Sequence, residues 1–251
     1  MTSIVWANYK NLQIRDVHEK QRPQIKEYIL KNVLNNAVYQ VLKYHENPTF
    51  KEDLSRIIQH ILENDSSILV MDMENNEIQG IALMKCMSEE WRSWTALKVL
   101  ISNQNLEELI DLTKISITNA SEEIPEPWDS LHLFYYHIDP IWSEDLCLIS
   151  KFFLAISMVG QNMRMPRVTY MALCREEGLM FEEQGFKELW RILYSMYVYR
   201  DRRPFDHLRD LNEMYGCLYE KKLEALRPFQ ELTIRHDGGN EKETSEKKAI
   251  K

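Results

Sequence analysis

The chain has 251 residues, of which 44% are hydrophobic, so it can bury a core large enough to fold without disulfides or a structural metal. Its 31 basic and 39 acidic residues give a net charge of −8, which argues against the uniformly basic surface that attracts nucleic acid. The four cysteines form no CxxC pair and no apolar run is long enough for a signal core or a membrane span, so we expect a cytoplasmic protein without a metal site.

The first predicted elements are a strand, two helices and a hairpin. Alternation over residues 12–15 predicts a short strand, and apolar residues spaced by three and four over 25–34 predict an amphipathic helix. Thr49, with a glutamate three positions later, is the expected N-cap of a second helix. Two β-prone runs, 68–73 and 78–85, flank a four-residue polar turn and predict an antiparallel hairpin.

The second half of the chain predicts a crossover unit. A leucine-rich helix is expected between residues 88 and 124, before two prolines. The strand 131–138, a long helix capped by Ser143 and a strand over 168–173 follow within about 45 residues. Strands joined by a helix of this length are expected to be parallel neighbours in one sheet.

The C-terminal part predicts a short helix, a last strand over 189–199 and a helix near 208–226. We expect residues 1–234 to form one domain and the polar residues 235–251 to be a disordered tail. The predicted fold class is α/β, with a mixed central sheet of about six to seven strands and helices on both faces.

The order of elements and four short motifs resemble the GNAT acetyltransferase superfamily, and within it the insect arylalkylamine N-acetyltransferase branch. The resemblance covers residues 10–210 and is carried by Ile14-Arg15-Asp16-Val17, the helix over 25–34, Ile138-Asp139-Pro140, and Glu183-Gln184-Gly185-Phe186. It implies a sheet that splays at the family's fourth strand, where acetyl-CoA enters. It also implies transfer of an acetyl group to a small amine.

The resemblance implies cofactor-binding positions near the splayed strand. Aligned from Ile138-Asp139-Pro140, these positions are His137, Ile138, Asp139, Ser143, Leu146, Cys147, Leu148 and Arg175. The family's phosphate-binding turn is basic and rich in glycine, whereas the corresponding residues 143–148 contain neither feature and include Glu144 and Asp145. These carboxylates would repel a pyrophosphate, so acetyl-CoA is expected to bind weakly, with Arg175 as a substitute anchor. An acidic entrance would suit a small amine or a basic peptide.

The family's catalytic groups are missing at the aligned positions, so no catalytic residue is assigned. Phe181 replaces the tyrosine that protonates the thiolate, and Ala37 stands in place of the acidic residue that activates the amine. The serines after the family's fifth strand give way to residues 174–177. His132 and His137 are five residues apart on one strand, which predicts opposite faces and at most one histidine base in the cleft.

Three functional hypotheses follow. The first, by resemblance, is an acetyl-CoA-dependent N-acetyltransferase-like protein acting on a small, arylalkyl-type amine. The second is a catalytically inactive GNAT-fold module that binds or regulates a protein partner. The third is an obligate subunit whose partner covers Trp91, Trp94 and Trp128, because exposed aromatic side chains mark interfaces. No nucleic-acid or membrane partner is expected.

Overall fold

An eight-stranded mixed sheet organises the residues that the computed structural model describes, which are 4–87, 92–122 and 129–224. The strands are β1 (Val5–Tyr9), β2 (Leu12–Asp16), β3 (Ser67–Asp72), β4 (Glu77–Met87), β5 (Ser130–Ile138), β6 (Arg167–Ala172), β7 (Lys187–Leu193) and β8 (Tyr215–Lys222). Their order in the sheet is β1-β2-β3-β4-β5-β6-β8-β7. Every neighbouring pair is antiparallel except β5 and β6. The predicted fold class is confirmed, with more strands than expected.

Seven α-helices cover the two faces of this sheet within the described residues. They are α1 (Arg22–Val33), α2 (Ala37–Val41), α3 (Pro48–Asn64), α4 (Arg92–Val99), α5 (Gln104–Glu122), α6 (Leu146–Asn162) and α7 (Arg175–Glu183). Helices α1 to α5 contribute to one hydrophobic cluster and α6 and α7 to the other. The apolar face of each helix thus packs into one of two cores on opposite faces of the sheet.

Two helices begin at residues other than the expected caps. The side chain of Asn47, rather than Thr49, caps α3 by accepting hydrogen bonds from the amides of Thr49 and Phe50. A proline follows Asn47, and its fixed φ suits the first helical position. Asp145, rather than Ser143, caps α6, because a separate 3₁₀ turn over Pro140–Trp142 precedes the helix.

The prediction of a C-terminal helix near 208–226 is wrong for the residues that the structure describes there. A 3₁₀ helix spans Asp206–Leu211, and the strand β8 follows, paired antiparallel with both β6 and β7. Leucines and methionine at helical spacing favoured a helix, but the gap between β6 and β7 offers hydrogen bonds on both sides to a strand. Tertiary pairing therefore overrides the local pattern.

The crossover unit is confirmed. Strands β5 and β6 are parallel neighbours joined by α6, and their register pairs Leu131 with Val168 and His132 with Thr169. No further pairs join them among the described residues, although β5 continues for six residues to Ile138. The sheet therefore opens between the outer halves of β5 and β6.

A β-bulge in β5 reverses the alternation of side chains along the strand. Leu83 pairs with Tyr135 and Met84 with Leu133, which leaves Phe134 without a partner on β4. Such a bulge moves all later residues to the other face. His132 and His137 therefore lie on the same face, opposite Lys85 and Ile81 of β4, and the prediction of opposite faces is wrong.

Three other expectations concern the surface. Trp94 is buried in α4, so it does not form the expected exposed aromatic interface. Trp91, Trp128 and the predicted tail 235–251 lie outside the described residues.

Within the described ranges, no helix is long and apolar enough to cross a membrane, and no group of three metal-ligating side chains is found. All four cysteines are free.

Candidate functional site

A pocket lies where β5 and β6 separate, and residues of both hydrophobic cores line it. Its volume, including the open mouth, is about 900 Å³. It is lined by Val33, Asn36, Val38, Tyr39, Leu54, Lys85, Met87, Trp94, Leu97, Leu106, Leu109, Ile110, Thr113, His132, Leu133, Phe134, Tyr135, Tyr136, Tyr170, Met171, Leu173 and Glu177. Concave sites with hydrophobic and aromatic walls and a set of convergent polar groups are typical of small-molecule binding.

Aromatic side chains form the centre of the pocket wall. Tyr39 and Tyr135 lie on the α1–α5 side, whereas Tyr136 and Tyr170 belong to the core beneath α6. Burial raises the pKa of each of these four hydroxyls, so they are neutral at physiological pH. Tyr170 stacks on Phe181 with ring centroids 4.1 Å apart and an interplanar angle of 4°. Phe181 thus fixes a wall of the pocket from behind.

Glu177 is the acidic side chain among the described lining residues. It lies in the first turn of α7, and its Oε2 accepts a hydrogen bond of 3.0 Å from the amide of Leu173. Tyr170 and Cys174 are polar neighbours that favour the charged form of this carboxylate. Desolvation nevertheless dominates and raises the pKa of Glu177 to about 7. The site therefore holds a carboxyl group that titrates near neutrality.

The two basic residues among the described lining residues have structural partners. Lys85 Nζ lies 3.1 Å from Asp65 Oδ2 in a pair whose side chains are 7% and 8% exposed. Nδ1 of His132 is hydrogen-bonded to Oγ1 of Thr169 at 3.0 Å. Burial lowers the pKa of His132 to about 4, so the imidazole is neutral at physiological pH. Among the described lining residues, negative charge therefore comes from the ionised form of Glu177, while the basic groups are neutral or already paired.

The predicted residues at the end of β5 lie beside the pocket rather than among its lining residues. The ring of His137 packs edge-on against Tyr28, with centroids 5.6 Å apart, and burial lowers its pKa. Ile138 is buried in the core beneath α6. Asp139 Oδ1 accepts a hydrogen bond from the amide of Ile141 and so caps the 3₁₀ turn. Ile138 and Asp139 therefore fix the turn that joins β5 to α6, outside the pocket lining.

The first turn of α6 is closed by side chains of the chain itself. Oδ1 of Asp145 accepts a 3.1 Å hydrogen bond from the amide of Leu148, which is buried. Oδ2 accepts from Lys10 Nζ at 2.9 Å and from the hydroxyl of Tyr9 at 3.0 Å. Lys10 holds the pKa of Asp145 below its usual range. Asp145 therefore takes the amide-binding role that a phosphate has at other helix N-termini.

The other predicted residues of this turn offer no phosphate ligand. The hydroxyl of Ser143 donates to the carbonyl of Pro140 at 2.9 Å, and Leu146 and Cys147 are exposed. Glu144 is exposed beside them. With acidic side chains and no glycine here, these residues do not fit the pyrophosphate of acetyl-CoA in its usual pose.

Arg175, the proposed substitute anchor, begins α7 on another surface. Its amide donates to Glu213 Oε2 at 2.9 Å, and its side chain is exposed. It lines a smaller cavity of about 370 Å³ together with Cys174 and Tyr219, among others. None of the eight predicted cofactor residues is among the described lining residues of the large pocket, and their role in binding acetyl-CoA stays a prediction.

Sequence reasoning missed Glu177 as a site residue because the chain shows it only as part of the segment that replaces the family's serines. One usable signal is its position three residues after the helix N-cap at Cys174, which is the spacing of a capping box. The tyrosines converge on it from three separate segments, and that convergence becomes visible only in the folded chain.

Comparison with known proteins places the fold. The chain is similar to a putative arylalkylamine N-acetyltransferase 7 of the mosquito Aedes aegypti, with a TM-score of 0.73, 11% identity, and coverage of 88% of this chain and 96% of that one. A polyamine N-acetyltransferase of Drosophila melanogaster gives a TM-score of 0.62 and 11% identity over 84% and 100% of the two chains. The C-terminal condensation domain of Ebony, in complex with beta-alanyl-dopamine, gives 0.63 and 15% over 84% and 99%.

No protein-family model matches the chain, and no curated protein matches its sequence. The predicted resemblance to GNAT acetyltransferases, including the insect arylalkylamine branch, is confirmed at the level of the fold. At 9–15% identity to the solved relatives named as arylalkylamine, agmatine or polyamine acetyltransferases and to Ebony, the backbone arrangement is shared while most side chains differ.

Proposed function

We propose that the chain is an N-acetyltransferase-like protein that binds a small amine with an aromatic or other apolar body. The observation that carries this proposal is the pocket between β5 and β6, with its cluster of tyrosines around one carboxyl group. Aromatic faces attract both apolar groups and cations, and a partly desolvated carboxylate attracts an ammonium group. Four free cysteines suit a reducing compartment such as the cytoplasm.

The relatives support an amine as the ligand. Two of them are named for arylalkylamine or polyamine acetylation, and a third holds beta-alanyl-dopamine, an amide of an aromatic amine. The present pocket, with Tyr39, Tyr135, Tyr136 and Tyr170, matches an arylalkylamine better than a polyamine. A polyamine carries several charges, whereas Glu177 is one carboxyl group.

Binding without acetyl transfer is the activity that the geometry supports best. Asp145 already accepts from the first turn of α6, and the surrounding residues do not fit a pyrophosphate. A second candidate is acetyl transfer from acetyl-CoA held in a displaced pose. The divergence of β5 and β6 and the bulge at Phe134 favour it, because they leave an open cleft with an unpaired backbone segment. The small amine is the ligand in both cases.

Titration calorimetry with phenethylamine, tyramine and agmatine tests this function. We expect the two arylalkylamines to bind and agmatine to bind at least about tenfold more weakly. A control variant, Ile110→Trp, fills the pocket from α5 and should abolish binding in a folded protein. Binding of none of the three amines to the wild type would overturn the proposal.

A parallel assay distinguishes the two candidates. Acetyl-CoA is incubated with each amine, and release of free thiol and formation of the amide are followed. Amine binding without product supports the binding protein, whereas product that depends on the pocket supports the enzyme. Product formation that persists in Ile110→Trp would argue against this pocket as the site.

A further inference from the structure

We propose that Glu177 is the counter-ion that holds the ammonium group of the ligand at the junction of β5, β6 and α7. This inference rests on the proposed function and identifies the residue responsible for selecting an amine. The family pattern places its acidic residue after the first helix, where this chain has the exposed Ala37. Glu177 reaches the pocket from a different element, α7, whereas Asn36 and Val38, the neighbours of Ala37, line it from the α2 side.

Elimination of the other charged groups supports the assignment. Lys85 is paired with Asp65, and His132 is hydrogen-bonded to Thr169. Neither side chain carries a negative charge that could balance an ammonium group. Among the described lining residues, the remaining ionisable groups besides Glu177 are tyrosine hydroxyls, which stay neutral. A cation entering the pocket therefore finds its countercharge at Glu177.

The carboxylate also has room for another donor. An ionised carboxylate offers about four acceptor positions. The amide of Leu173 occupies one of these positions, and the polar groups of Tyr170 and Cys174 lie close enough to favour the charged carboxylate. An ammonium group brings three N–H donors. One of these can bind Glu177 while neighbouring tyrosine oxygens accept the others.

A helix cap alone does not require a carboxylate at this position. The bond from Leu173 needs only an oxygen acceptor, which a glutamine side chain supplies equally well. A buried glutamine would avoid the cost of desolvating a negative charge. The charge of Glu177 is therefore better explained by a cationic ligand than by the cap.

The pH dependence of binding provides a second consequence. The groups that interact with Glu177 or face it from neighbouring elements are Tyr39, Tyr135, Tyr136, Tyr170, Cys174, Glu176 and Tyr194. The tyrosines and Cys174 have raised pKa values and stay neutral between about pH 5 and 8. Glu176 is exposed on the surface. The pKa of about 7 places the ionisation of Glu177 inside this range, so amine binding should weaken as the pH falls below 7.

The test compares Glu177→Gln with Glu176→Gln, which removes an equal charge from the adjacent exposed residue. At pH 8 we expect Glu177→Gln to weaken phenethylamine binding by about 10- to 100-fold in titration calorimetry. Glu176→Gln should change it by less than about twofold. The neutral analogue 2-phenylethanol should bind the wild type and Glu177→Gln within about threefold, since it needs no counter-ion.

A pH series on the wild type completes the test. Between pH 8 and 5.5 the affinity for phenethylamine should fall by about 30-fold, while that for 2-phenylethanol stays nearly constant. This series also carries the test if Glu177→Gln does not fold. Phenethylamine binding that is unchanged in folded Glu177→Gln, or independent of pH in the wild type, overturns the role of Glu177. Failure of the wild type to bind any amine overturns the proposed function itself.

Discussion

Replacing Glu177 with glutamine is expected to stabilise the protein without ligand at pH 8 and to have little effect on its stability at pH 4. The carboxyl group has an ordinary pKa of 4.5 in the unfolded chain and about 7 in the folded protein. Between these values the unfolded chain releases a proton that the folded protein retains. The contribution of Glu177 to the free energy of unfolding is therefore complete below pH 4.5 and is lost as the pH rises through 7.

The size of the effect follows from the separation of the two pKa values. One pKa unit corresponds to about 1.4 kcal/mol, so the interval from 4.5 to about 7 corresponds to roughly 3 kcal/mol. The side chain is partly exposed in the pocket, which reduces the desolvation that it experiences. We expect about 2 kcal/mol to appear in the measurement.

Urea denaturation followed by circular dichroism at pH 4, 6 and 8 provides the measurement, with wild type, Glu177→Gln and Glu176→Gln in parallel. The informative quantity is the difference in free energy of unfolding between variant and wild type at each pH, because other titrating groups are common to both. For Glu177→Gln this difference should shift by about 2 kcal/mol in favour of the variant between pH 4 and 8. For Glu176→Gln it should stay within about 0.5 kcal/mol.

A difference that does not change with pH would refute the reasoning, since it would mean that Glu177 titrates alike in the folded and unfolded states. A difference that grows equally for Glu176→Gln would also refute it, because the effect would then belong to the net charge of α7. Agreement would show that the protein carries a destabilising carboxyl group in the absence of ligand.

Acetyl-CoA is expected to bind in calorimetry with a dissociation constant above about 100 µM, and a low-micromolar constant for the wild type would contradict this. Asp145→Asn keeps the cap oxygen but removes the charge, so it should tighten acetyl-CoA binding several-fold more than Glu144→Gln does. Gly185→Ala should lower the free energy of unfolding by about 1 kcal/mol, because Gly185 has a φ of 80°, which disfavours any residue with a Cβ. The added Cβ would meet no atom within 4 Å, so the loss would come from the backbone conformation alone. An unchanged urea midpoint would contradict that account. Lys85→Met should cost about 3–5 kcal/mol by leaving Asp65 buried without its cation, and a loss below about 1 kcal/mol would show that solvent reaches the pair.

The elements that the sequence predicted are those with complete local signals. The hairpin of β3 and β4 has two β-prone runs around a four-residue turn, and both strands form as expected. The crossover of β5, α6 and β6 follows from chain order and helix length, which leave parallel pairing as the favoured outcome. In each case the information lies within the segment itself.

The features that sequence reasoning missed depend on distant partners. Strand β8 forms because β6 and β7 both offer hydrogen bonds to it, although its leucine spacing also suits a helix. The bulge at Phe134 is set by the register between β4 and β5 rather than by any turn residue. Glu177 becomes a site residue because the fold brings it into one pocket with tyrosines from α2, β5 and β6. Alternation and periodicity carry no information about such convergence.

Because Phe134 is unpaired in β5, the length of this strand, and not only its residue types, decides which side chains line the pocket. Beyond Phe134 the faces are exchanged, so Tyr135 belongs to the core of α1–α5 and Tyr136 to the core beneath α6. Deleting that one residue would swap the two tyrosines and turn His137 away from Tyr28, with every other residue type unchanged. A change of one residue in strand length is therefore a short route by which this architecture can acquire a different ligand preference.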